Sequence, residues 1–120
     1  MADNERLICE SASLLEKGQG VRFDLPEFGP RVTGFVVRYQ GKVCGFINQC
    51  AHVPVELDWN PGDFFDLTQH YIICATHGAH FLPDSGYCVM GPCKGRSLKQ
   101  LPVFERDSFV FINLESLKHV

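Results

Sequence analysis

Two short stretches carry side chains able to do chemistry: Cys50-Ala51-His52 and Cys74-Ala75-Thr76-His77. Each offers one thiolate and one imidazole, and the second runs on into Gly78-Ala79-His80-Phe81. Two sulfur and two nitrogen donors suit a tetrahedral metal site. They equally suit a two-iron, two-sulfide cluster in which imidazoles replace thiolates on one iron. In either case the two stretches must face each other across one shared site.

The elements that would position them read as strands. Leu7-Ile8-Cys9 is a short β-like run at an edge, and Val21-Arg22-Phe23-Asp24-Leu25 alternates with period two before Pro26, Gly29 and Pro30 break it. Residues 31–39 and 42–47 are β-rich and flank Gln40-Gly41, which predicts a hairpin whose second strand feeds Cys50. Between the two stretches, Asp58-Trp59-Asn60-Pro61-Gly62-Asp63 is turn-rich, and residues 64–67 suit a short strand or a helical turn. Tyr71-Ile72-Ile73 is an apolar strand ending at Cys74, so both candidate loops are expected at the same end of neighbouring strands. Residues 81–86 read as a turn, Tyr87-Cys88-Val89 as a short strand and residues 90–95 as a third irregular loop. Residues 98–105 and 108–114 alternate around Arg106-Asp107 and predict a closing hairpin. Many short strands without repeats or linkers predict an all-β chain.

The chain has 120 residues, one domain's worth, with 45% hydrophobic and 21% charged residues. A net charge of −3 and the lack of a basic stripe argue against nucleic acid. No apolar run approaches the ~20 residues of a membrane-spanning helix. The start, Met1-Ala2-Asp3-Asn4-Glu5-Arg6, is acidic and carries no signal-peptide pattern, so a cytoplasmic location is expected. In that reducing setting the six cysteines (Cys9, Cys44, Cys50, Cys74, Cys88 and Cys93) point to metal more than to a disulfide framework.

The order C-x-H, then C-x-x-H-G, then Gly91-Pro92 resembles the Rieske [2Fe–2S] proteins, over roughly residues 45–104. Gly86 and the run Leu98 to Leu101-Pro102-Val103 add to the match. The resemblance implies a single domain, 1–120, folded as a Rieske-like antiparallel β-sandwich or barrel. A small cluster-binding subdomain, approximately residues 48–93, would sit at one end. It implies that Cys50 and Cys74 bind an inner iron through sulfur, and that His52 and His77 bind an outer iron near solvent. Neutral imidazoles leave the oxidised cluster formally neutral, which raises its potential from about −400 mV towards the Rieske range. Gly78 and Gly91 would let backbone approach the sulfides, and Pro92 would cover the cluster's flank.

High-potential members carry a bridging cysteine in each ligand loop; the corresponding positions here are Val55 and Thr76. They also carry a serine and a tyrosine whose hydroxyls bond to sulfur, where this chain has Ala79 and Phe81. Fewer donors to sulfur imply a low potential, near the family's lower limit of about −150 mV. The expected role is a soluble one-electron carrier and not an enzyme. It would resemble the ferredoxin components of bacterial aromatic-ring dioxygenase systems, taking electrons from a reductase to a terminal oxygenase. The alternatives are a small Rieske subunit of a larger oxidoreductase such as nitrite reductase, and a structural Cys₂His₂ zinc module, which leaves the third loop unexplained. Cys88 and Cys93 flank Gly91-Pro92 and have two readings, a redox-active or disulfide-forming pair and, more plainly, buried small hydrophobes. The remaining residues have plainer readings: Cys9 and Cys44 as core, His80 as exposed, Trp59 as a turn cap, and the acids of 53–66 as a solvated or partner-steering face.

Overall fold

The computed structural model describes residues 5–51, 55–58, 60, 62–75, 78–93 and 95–117. Besides single 3-10 turns at Ser11–Ser13 and Pro26–Phe28, nine strands and one short α-helix are found among them: β1 Glu5–Glu10, β2 Val21–Asp24, β3 Thr33–Tyr39, β4 Lys42–Ile47, β5 Ile72–Ile73, β6 His80–Phe81, β7 Cys88–Met90, β8 Val103–Arg106, β9 Phe109–Asn113 and α1 Leu114–Leu117. They form three antiparallel three-stranded sheets, ordered β1-β9-β8, β2-β3-β4 and β5-β6-β7. The chain is thus nearly all β.

The β3–β4 hairpin forms at the expected place. Gln40 and Gly41 both have positive φ (52° and 77°), the left-handed pair that matches the twist of the flanking strands. β3 is the central strand of its sheet and is covered on both faces, so Gly34–Val37 are buried without interruption. Phe35 and Val37 point into one core with Phe46, Leu57, Phe64, Ile72 and Phe81. Val36 points the other way, to Leu14 and Val110. On that second face a Cβ at Gly45 would come within 2.7 Å of Val103, so glycine there lets the two larger sheets approach.

Several sequence expectations need correction. The closing hairpin turns at Asp107-Ser108, both with positive φ, one residue later than expected, because Arg106 still pairs with Phe109. Residues 98–102 add only an isolated bridge, Gln100 to Phe46. Phe64 to Leu67 is neither strand nor helix; only Phe65 bridges, to Ile72. β6 was hidden in a stretch read as loop and turn. Finally, β4 and β5 are not neighbouring strands: each belongs to a different sheet.

Candidate metal centre

The first loop leaves β4 through Asn48-Gln49. The Asn48 amide donates to Thr33 O (2.8 Å), and the Cys50 amide donates to Val55 O (2.8 Å), closing the loop behind the thiol. The second loop is the connection between β5 and β6. The Cys74 amide donates to Ala79 O (2.9 Å) and the Gly78 amide to Cys74 O (2.8 Å), a tight closure that needs the left-handed φ of +72° at Gly78. Cys50 and Cys74 are both buried and belong to the same apolar core. His52 and His77 lie outside the described residues, as do Trp59 and Thr76.

Since β4 and β5 do not pair, something else must join the loops, and the segment 55–58 does so. The Ala75 amide donates to Leu57 O (3.0 Å), while the Leu57 amide donates to Asn48 Oδ1 (2.9 Å). Asn48 Nδ2 donates to Asp58 Oδ1 (3.0 Å), and Asp58 Oδ2 accepts from the Gly62 amide (2.9 Å). The Asp58 side chain is fully buried, with Arg22 Nε 3.7 Å away. Glu56 is held outside it by Arg22 and by Thr33 Oγ1. Buried polar groups that satisfy one another in this way fix one arrangement and are costly to leave half-paired. The acids of this segment therefore include internal braces, not only a solvated face. Sequence reading missed the brace; the available signal was Asp58 at the head of a turn-rich stretch of sequence, where a carboxylate caps turn amides.

The third loop lies on the second. Gly91 has φ +102°, and a Cβ there would sit 2.8 Å from Ala79 Cα, so close backbone approach explains this glycine. At Gly78 a Cβ would meet nothing within 4 Å, so its backbone conformation is the visible reason. Ala79 and Phe81 are fully buried and bring no hydroxyl. His80 is not an exposed loop residue: it is half-buried in β6, its Nδ1 2.8 Å from Gly78 O and its Nε2 3.5 Å from Asp66. Cys9 and Cys44 are only half-buried, and burial still raises both thiols, Cys44 to about 11. Cys88 and Cys93 are buried as expected, but their sulfurs face each other at 2.8 Å. Burial, followed by the contact with Cys88, pushes the Cys93 thiol up to about 12.

The donor chemistry fits an iron–sulfur group. Two buried sulfurs on separate loops of one core are what a thiolate-held inner iron needs. Among the described residues no three Cys, His, Asp or Glu side chains form a metal-binding group. Cys50, Cys74, Cys88 and Cys93 are all among those residues and form no such group.

The Rieske [2Fe-2S] domain model matches residues 5–105. Among solved structures, a ferredoxin of Sphingomonas yanoikuyae B1 is similar at 26% identity and TM-score 0.71, covering 92% of this chain and 98% of that one. A chain from a complex of reduced oxygenase and oxidized ferredoxin in carbazole 1,9a-dioxygenase has 18% identity and TM-score 0.74, with 94% and 95% coverage. A second chain, from the reduced oxygenase–ferredoxin complex of carbazole 1,9a-dioxygenase, has 22% identity and TM-score 0.74; the likeness covers 93% of this chain but only 28% of that one. A search of curated proteins found no match. The match across most of the chain, on a fold that buries Cys50 and Cys74 together, shows that this protein belongs to the Rieske [2Fe-2S] domain family and carries a [2Fe–2S] cluster.

Proposed function

We propose that the chain is a one-electron carrier between a reductase and a terminal oxygenase of the aromatic-ring dioxygenase type, working in the cytoplasm as a single domain with residues 48–93 as its cluster-binding part. Cys50 and Cys74 would hold the cluster from the core side, and His52 and His77 would complete the ligand set. When bound, the cluster takes up and releases one electron. The residues around it exclude water and set its potential: Leu57, Phe81 and Leu98 belong to the same buried core as the two thiols. Ala79 and Phe81 offer no hydroxyl to sulfur, which supports a potential at the low end of the Rieske range, about −150 mV. Among the described residues no helix is long and apolar enough to cross a membrane.

The observation that carries this reading is the cross-stitching of the two thiol loops through Leu57, within a chain similar over nearly its whole length to a ferredoxin. Rapid mixing tests it. The reduced protein should be reoxidised by a ring-hydroxylating oxygenase within seconds and re-reduced by its flavin reductase. Failure of both transfers, together with recovery from the native host only inside a larger enzyme on size exclusion, would favour the subunit reading. A clearly positive potential in a redox titration would remove the low-potential assignment.

A further inference from the structure

We propose that Cys88 and Cys93 form a reversible disulfide that clamps the third loop onto the second ligand loop. Four observations lead there. The sulfurs stand 2.8 Å apart, less than 1 Å from the ~2.05 Å of a disulfide bond. Both side chains are buried, so neither thiol has solvent as an alternative neighbour. The backbone around them closes on itself: the Cys88 amide donates to Arg96 O (2.8 Å) and the Arg96 amide to Cys93 O (2.9 Å). Between the two cysteines, Gly91 presses on Ala79, whose carbonyl accepts from the Cys74 amide. A covalent link across this loop therefore fixes the wall beside Cys74. Cys9 and Cys44 show the contrast, since each is half-exposed and sits within a larger sheet.

The chemistry is thiol–disulfide exchange with a small disulfide of the glutathione class. One protein thiolate attacks the small disulfide and expels one small thiolate. The second protein thiolate then attacks the mixed disulfide, forming the Cys88–Cys93 bond and releasing the second small thiol. Two protein thiols are oxidised, one small disulfide is reduced to two thiols, and the two protons end on the released thiols.

The chain provides its own assay. Its only methionines are Met1 and Met90, and Cys93 is its only cysteine beyond Met90. Cluster-loaded protein is held for hours in excess oxidised over reduced glutathione, because a buried thiol reacts only as its loop opens. Remaining thiols are blocked, and the chain is cut at Met90 with cyanogen bromide. The two fragments should stay joined without reductant, separate with it, and separate in Cys88→Ala, while the visible absorbance before cleavage is unchanged. Mass mapping of the wild-type fragments after digestion at Tyr87 should place the link at Cys88, independently of any variant. Fragments that separate at every glutathione ratio, or that stay joined in Cys88→Ala, overturn the proposal. The readout is on the polypeptide, so an error in the cluster-ligand assignment would not alter it.

Discussion

The sheets β1-β9-β8 and β2-β3-β4 are held by ladders of four to six paired residues, interrupted in β1–β9 by one register shift between Leu7 and Cys9, whereas the end carrying Cys50 and Cys74 has strands of two or three. In the first region many equivalent contacts share the load. In the second, single hydrogen bonds such as Leu57 to Asn48 and Ala75 to Leu57 decide where a whole loop lies. Stability and site geometry thus reside in different parts of the molecule, and substitutions should separate them.

The sharpest separation is between two cysteines. Cys74→Ala should remove all visible cluster absorbance, whereas Cys44→Ala, in β4, should leave the spectrum intact. Equal spectra for the two variants would dissolve the distinction. Next in size is Ile112→Ala in β9, which empties a fully buried site between the larger sheets. It should cost about 2–5 kcal/mol in denaturant unfolding, with the potential of the folded protein unchanged. A shifted potential would show that the two regions are coupled. Asp58→Ala reverses the pattern. It strands Asn48 Nδ2 and the Gly62 amide, at about 1–3 kcal/mol, and should release iron to a chelator faster than Ile112→Ala does at equal residual stability.

The smallest effect is on pH. Hydrogen bonds from Arg38 hold the Glu105 carboxyl below its ordinary value, and the Gly41 amide does the same for Glu16. A carboxyl lowered in the folded state contributes stability that is fully present above the unfolded value near ~4.3 and is lost as pH falls through the folded value. The urea midpoint should therefore fall below about pH 4.5, and Glu105→Gln should flatten that fall without moving the cluster's spectrum. An unchanged slope in Glu105→Gln would show that the ion pair is solvent-screened to insignificance.

What the sequence revealed divides along the same line. Local rules gave the scaffold: period-two alternation marked β2, and Gln40-Gly41 marked the β3–β4 turn, because turn chemistry is written in adjacent residues. Cys50 and Cys74 stood out as candidates because their spacing from histidine is itself a chemical constraint, and the structure buries both in one core. The joining of the loops was not. β4 and β5 lie in different sheets, and the link runs through Leu57 and a buried Asn48–Asp58 pair whose partners are set only by tertiary structure. β6, two residues long, has no periodicity to read. For Cys88 and Cys93 the sequence left two readings open, a pair or two packed thiols, since spacing alone does not tell one from the other; the 2.8 Å contact comes from the structure.

Electron paramagnetic resonance of the reduced protein, with iron and zinc determined on the same sample, bears most directly on the mixed-ligand cluster. The expected result is two irons per chain and a signal with nitrogen coupling from two imidazoles, lost on replacing His77 with alanine. Zinc in place of iron, or an iron signal without nitrogen coupling, would contradict it.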